Sequence, residues 1–127
     1  MNSANKFSVT LVSIISLFVV LSCSSSSNTP CTGEVVADGK TFNGKGKDAD
    51  EAKRNSCNLY CLEADADVDA RYRIWLDSPK SKEVKNPSKK EYMYRDKTFL
   101  DYVTVTCMNK CQAKLKDGSF KGQAKCQ

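Results

Sequence analysis

From residue 48 onward the apolar positions of the chain recur at intervals of three and four. Cys57, Cys61, Ala64, Val68, Tyr72 and Trp75 form one series; Phe99, Val103, Cys107, Cys111 and Leu115 form a second. That spacing places each series on one face of an α-helix. The ends of both helices are marked. Asp48-Ala-Asp-Glu51 reads as a capping box, a side-chain acceptor followed three residues later by Glu. The first helix must stop near Asp77 and Ser78, because Pro79 disfavours helix in the residue before it. A second box, Ser88-Lys-Lys-Glu91, follows Pro87, and Asp117-Gly118 supplies a glycine of the kind that ends helices. One stretch is discordant: Val103-Thr-Val-Thr106 is β-branched throughout and suits a strand better than a helix.

Ahead of the first helix, Glu34-Val-Val-Ala37 and Lys40-Thr-Phe-Asn43 flank Asp38-Gly39, the signal for a two-residue β-hairpin. A quasi-repeat frames the helices. Asp38 to Lys47 and Asp117 to Lys125 align, with one deletion, as Asp-Gly and then Phe-x-Gly-x-small-Lys. It predicts a strand at each end of the domain, with Phe42 and Phe120 covering the helices and glycines permitting close approach. The expected fold class is a small disulfide-rich α+β domain, an antiparallel two-helix hairpin with a small β-sheet formed by the segments flanking it.

The N-terminus has another character. Residues 1 to 22 carry one charge, Lys6, ahead of an uncharged and largely apolar run of about 15 residues from Phe7 to Leu21. That is short of the roughly 20 needed to cross a bilayer and fits an export signal. Val20-Leu-Ser-Cys23 resembles the bacterial lipobox, which implies that Cys23 is acylated and becomes the first residue of a lipoprotein. Ser24 after that cysteine resembles the sorting position of lipoproteins sent to an outer membrane. Residues 23 to 30, Cys-Ser-Ser-Ser-Ser-Asn-Thr-Pro, then read as a polar tether, and residues 31 to 127 as the folded domain.

Six cysteines remain after Cys23, an even number in an exported chain of small size, where three disulfides are the expected support. Cysteines at i and i+4 of a helix hold their Cβ atoms about 6 Å apart, against the ~3.8 Å of a disulfide. Neither Cys57 with Cys61 nor Cys107 with Cys111 therefore closes on itself. Facing residues of an antiparallel hairpin share a constant index sum, and 57 with 111 and 61 with 107 both give 168. The caps, read without the cysteines, pair 48 with 118 and 77 with 88, giving 166 and 165. The predicted bridges are Cys57 to Cys111, Cys61 to Cys107 and, at the two ends of the sheet, Cys31 to Cys126. Beyond the sulfurs this register puts Val68 opposite Leu100 and Trp75 near Met93. In spacing alone the pattern resembles the twin C-x3-C arrangement of the small mitochondrial intermembrane-space chaperones. A four-cysteine zinc site is the competing reading, disfavoured by the spacing and by an oxidising compartment. Redox catalysis would call for C-x-x-C.

Charge narrows the function. The chain carries 20 basic and 15 acidic residues and no histidine. Lack of histidine removes the commonest metal ligand and the usual general base, and with it Ser-His and Cys-His nucleophiles. No phosphate loop or zincin pattern occurs. The expectation is a protein that is not an enzyme, without cofactor or metal. Lys80, Lys82, Lys85, Lys89, Lys90, Arg95 and Lys97 cluster between and just inside the helices, with Tyr92 and Tyr94 among them. They are the candidate polyanion-binding residues, set against a solvated linker. No nucleic-acid motif is present. Asp65, Asp67 and Asp69 alternate as in a calcium loop, but Ala70 and Leu76 stand where that loop needs Gly and an acid. Asp67 with Arg71 and Asp69 with Arg73 are instead in the favourable order for helix ion pairs. The expected function is a lipid-anchored envelope or surface lipoprotein that binds a protein or polyanionic ligand. The alternative is a periplasmic inhibitor or accessory factor of an envelope enzyme.

Overall fold

The structure, a computed structural model, describes residues 29 to 127. The lipobox-like residues, Cys23 and the greater part of the tether lie outside them. Strand β1 (Cys31–Ala37) turns into β2 (Lys40–Gly46) through Asp38 and Gly39, whose φ angles of 50° and 75° are both positive, as a type I′ turn requires. β3 (Lys121–Lys125) lies on the other side of β1, giving an antiparallel sheet in the order β2-β1-β3. The two arms of the quasi-repeat thus flank the same central strand, and Val35 lies between Phe42 and Gly122.

Alternate residues of β1 (Cys31, Gly33, Val35 and Ala37) are buried beneath helix α1 (Ala49–Glu63). The approach is unusually close. A Cβ on Gly44 would stand 2.3 Å from the Ser56 backbone nitrogen, and one on Gly33 would stand 2.4 Å from the Ala52 carbonyl carbon. Only glycine allows two backbones to meet at that distance. The contact is also polar: the Gly44 N–H donates to Ser56 Oγ at 2.9 Å, and that hydroxyl donates to the Ala52 carbonyl at 3.0 Å. Tyr60, one turn further, is wedged edge-on between Phe42 and Phe120, with ring centroids 5.6 and 4.9 Å away.

The returning arm ends in α6 (Met108–Lys116), and disulfides join Cys57 to Cys111 and Cys61 to Cys107 with Cα separations of 5.8 and 5.9 Å. Cys31 and Cys126 close the sheet at its open end. All three bridges are those expected from the sequence, two from the register of the hairpin and the third from the ends of the sheet. Both capping boxes form: the Glu51 N–H donates to Asp48 Oδ1 and the Glu91 N–H to Ser88 Oγ. Gly118 takes the positive φ of 82° that ends α6.

The arms of the hairpin are not continuous helices. The first breaks at Ala64, and Asp65 caps a new helix, α2 (Ala66–Leu76), by accepting the N–H groups of Asp67 and Val68. After a short turn, α3 (Pro79–Lys82), the second arm starts as α4 (Lys89–Arg95) and breaks at Asp96. That residue caps α5 (Lys97–Asp101) through the Phe99 N–H. Each break follows from an aspartate whose short carboxylate competes for backbone donors. The β-branched stretch is neither strand nor α-helix but a π-helix, Tyr102–Cys107. Phe99, Val103, Cys107 and Cys111, all buried, are spaced strictly by four, and in an α-helix four residues overshoot a turn by about 40°. The wider π turn takes up that overshoot and keeps the four in line.

The breaks also move the register away from the cysteines. Trp75 stacks on Tyr92, one residue before the expected Met93, at 4.7 Å. Leu100 does not join fully buried Val68 in the core; it is 36% exposed. Among the described residues no helix is long and apolar enough to cross a membrane.

Candidate functional site

The breaks fold α4 and α5 across the far end of α1 and leave a groove of about 520 Å³ between them, lined by Asn58, Leu62, Lys90, Met93, Tyr94 and Leu100. Each arm contributes for a local reason. Asn58 and Leu62 are four apart on α1 and so share its face, turned from the sheet. Lys90, Met93 and Tyr94 lie on one side of α4, whose entry is fixed by the Ser88 cap, and Leu100 follows the Asp96 break. The surface is mostly apolar, and Tyr94, 77% exposed, stands at its edge. Asn58 Oδ1 is buried and is, among the described residues, the one such side-chain polar atom without a hydrogen-bond partner. An unmet buried acceptor costs roughly 1 to 3 kcal/mol. The groove therefore offers apolar walls and a cationic rim at Lys90, with the partnerless Asn58 oxygen buried beneath its surface.

Behind the groove two ion-pair networks lock the arms. Asp65, 1% exposed, receives Lys110 Nζ at 2.8 Å while capping α2, and the same ammonium reaches Asp67 at 3.1 Å. Hydrogen bonding and charge from these carboxylates, Asp65 first, push the Lys110 pKa well above its usual value, against the opposing effect of burial. The Lys110 ammonium in turn holds the Asp67 carboxyl below the usual range. Asp69 takes Arg73 at 2.7 Å and Lys89 at 3.2 Å, and its carboxyl is likewise held low, by Lys89 first and then Arg73. Burial raises the Tyr60 and Tyr92 phenols.

The acidic stretch is thus divided. Asp69 forms its expected pair with Arg73, whereas Asp67 bonds Lys110 and leaves Arg71 to lie 4.0 Å over the Tyr102 ring. The cationic cluster is divided too. Lys89 points inward, its side chain 17% exposed, and donates to the Leu62 carbonyl at 2.7 Å as well as pairing with Asp69. Arg95 pairs with Glu91 and Lys97 with Asp101, both within one helical turn. Lys80, Lys82 and Lys85 stand exposed around α3 and the segment after it, and Lys90 stands at the groove. The groove itself had no sequence signal: Leu62, Met93 and Leu100 read as ordinary helix positions, and what brings them together is the pair of breaks at Asp65 and Asp96. Comparison with protein-family models, curated proteins and solved structures finds no match to this chain.

Proposed function

We propose that the protein is a lipid-anchored envelope lipoprotein that acts by binding, and that its contact surface is the groove between α1 and α4–α5. The observation that carries this reading is the mostly apolar groove itself, with the partnerless Asn58 side-chain oxygen buried within one wall. A folded domain tolerates such a group at a stability cost, and a partner that inserts an apolar side chain together with an N–H or O–H donor relieves it. That describes a protein partner better than a polyanion, for which Lys90 alone at the rim would be a weak attractor. The disulfides at Cys57 and Cys61 fix the α1 wall of the groove, Asn58 and Leu62, so that wall loses little ordering entropy on binding. The sequence supports the anchor, through the lipobox resemblance and Cys23.

Two measurements test the two halves. Mass spectrometry of the N-terminal peptide should find an acylated Cys23, and an unmodified cysteine in the soluble fraction removes the anchor. Chemical crosslinking in the native envelope should capture a partner that Leu62→Glu with Leu100→Glu no longer captures. Undiminished capture by that double variant rules the groove out.

A further inference from the structure

Three lysines gather at the end of the sheet where the folded domain begins. Thr32 pairs with Lys45 on one side and Lys125 on the other, and Cys31 pairs with Gly46, the neighbour of Lys47. Directly paired residues share a face, so Lys45 and Lys125 flank Thr32 on the outer surface of the sheet, two strand spacings or ~10 Å apart. All three are exposed, and among the described residues none is within ion-pair distance of a carboxylate. The bridge from Cys31 to Cys126 ties the end of β3, and with it Lys125, to this place. Glu34 lies two residues on from Thr32 along the same face and accepts the Gln123 amide at 3.0 Å, and Asp48, Asp50 and Glu51 are the nearby acids at the start of α1. Asp48 accepts the Glu51 N–H and Glu51 accepts the Lys47 N–H, so both are engaged in capping α1, and Lys53 and Arg54 follow within a turn.

The position of these lysines relative to Cys23 gives the cluster its meaning. Residues 24 to 30 separate Cys23 from Cys31, and eight steps of ~3.5 Å place Cys31 no more than about 28 Å from an acylated Cys23. A cationic surface held that close to a bilayer meets its headgroups at high local concentration. Each lysine near an anionic leaflet favours contact by roughly fivefold.

We infer that Lys45, Lys47 and Lys125 form a docking face for anionic phospholipid headgroups, which seats the Cys31 end of the sheet on the membrane. The inference rests on the anchor proposed above. Its consequence for the groove is geometric. Helix α1 starts against Gly46 and Gly33 at Ala52 and reaches Phe42 and Phe120 at Tyr60, so Asn58 and Leu62 lie roughly 9 to 15 Å further along it. Docking by the lysines turns the groove away from the lipid, toward a partner in solution or in an opposing layer.

The full acylated protein should be reconstituted into vesicles of phosphatidylcholine alone and of phosphatidylcholine with phosphatidylglycerol, then treated with a membrane-impermeant amine-acylating reagent and mapped by mass spectrometry. Three lysines acting together give at least ~tenfold slower modification of Lys45, Lys47 and Lys125 on the anionic vesicles, reversed by high salt, while Lys80, Lys82 and Lys85 react alike on both. Equal modification of the three on both vesicle types overturns the docking face, as does protection of Lys80, Lys82 and Lys85 instead. Loss of flotation with the neutral vesicles is the separate failure of the anchor itself, and takes the docking face with it.

Discussion

The two halves of the helical hairpin are held by different forces. In the half that lies on the sheet, two disulfides join α1 to α6 and to the last residue of the π-helix ahead of it, and glycine lets α1 press onto β1 and β2 with almost no side chain between. In the other half, beyond Asp65 and Asp96, no sulfur reaches across. A run of stacked rings does so instead: Tyr72 on Trp75, Trp75 on Tyr92 and Tyr92 on Phe99, at 5.9, 4.7 and 4.0 Å. The ion pairs of Lys110 and Lys89 close its flanks. The first half resists opening because its unfolded state is constrained and its backbone contact leaves no slack. The second relies on packing and charge, so it is the half that should open locally and the half whose stability should depend on pH. The groove lies where the two meet.

The sharpest way to break the contrast is at the sheet. Gly44→Val places a branched side chain where even a Cβ would stand 2.3 Å from the α1 backbone. Helix and sheet must then separate, and the Gly44 N–H loses Ser56. The loss should be about 4 kcal/mol or more, seen as failure to form the native disulfide set during oxidative refolding. A variant that refolds with an unchanged denaturation midpoint would mean that α1 does not rest on these glycines.

Next in size is Trp75→Ala, which removes the middle of the stack and should cost about 3 to 4 kcal/mol. The difference between the halves predicts where that loss appears. Amide exchange should accelerate through α2, α4 and α5, while β1, β2 and the cysteine-bearing turns of α1 and α6 stay protected. Uniform acceleration would make the domain a single cooperative unit and erase the distinction. Opening one staple, Cys61→Ser with Cys107→Ser, should cost about 2 to 4 kcal/mol and leave the fold standing, since Cys57 to Cys111 still joins the same helices.

The parts legible in the sequence belong mostly to the stapled half. The C-x3-C spacing, the capping boxes and Asp-Gly at the hairpin are strong local signals, each tied to one geometry, and together they determine the sheet, the hairpin and its bridges. In the sequence the other half reads as two straight continuations, because Val68, Tyr72 and Trp75 keep helical spacing with Cys61 and Ala64 across the break. Nothing in periodicity distinguishes an aspartate in a helix from one that restarts it. Asp65 does so because Lys110 comes from the other arm to compensate its buried charge, a contact 45 residues away that a one-dimensional pattern does not contain. Lys89 misleads in the same way. In the sequence it belongs to an exposed basic run, and only the return of α4 over α1 turns it to the Leu62 carbonyl.

A smaller effect sharpens the contrast through pH. The pKa of Lys110 is raised in the folded protein above its ordinary 10.5. Its contribution to stability is therefore complete below that value and is lost as pH rises through the folded pKa. The carboxyls of Asp67 and Asp69 are lowered below their ordinary 3.8, so their contribution is present above that value and lost as pH falls through the folded pKa. Stability should be flat between these limits and decline at both ends. Lys110→Met should remove its part of the alkaline decline and cost about 2 kcal/mol at neutral pH by leaving the Asp65 carboxylate without its cation. A melting profile against pH with the same alkaline slope in wild type and variant would show that the pair does not hold the arms together.

The smallest expected change in stability is at Asn58, and it separates what the groove does for folding from what it does for binding. The side-chain oxygen is buried without a partner, so removing it relieves a desolvation cost instead of breaking a bond. Leucine is close in size, apolar, and by several tenths of a kcal/mol the better helix former. Asn58→Leu should therefore leave stability unchanged or raise it by about 1 kcal/mol. A loss larger than that would mean the amide is structurally satisfied in solution, and the groove wall would no longer hold a partnerless acceptor. If stability is kept, the same variant tests the proposed function directly. A partner that donates to Asn58 should be lost from crosslinking while Tyr94 and Leu100 remain in place, and Asn58→Asp, which retains an acceptor at that point, should recover part of it. Capture unaffected by leucine would leave a groove whose walls alone make the contact, and the orphan oxygen would be a cost the fold carries without return.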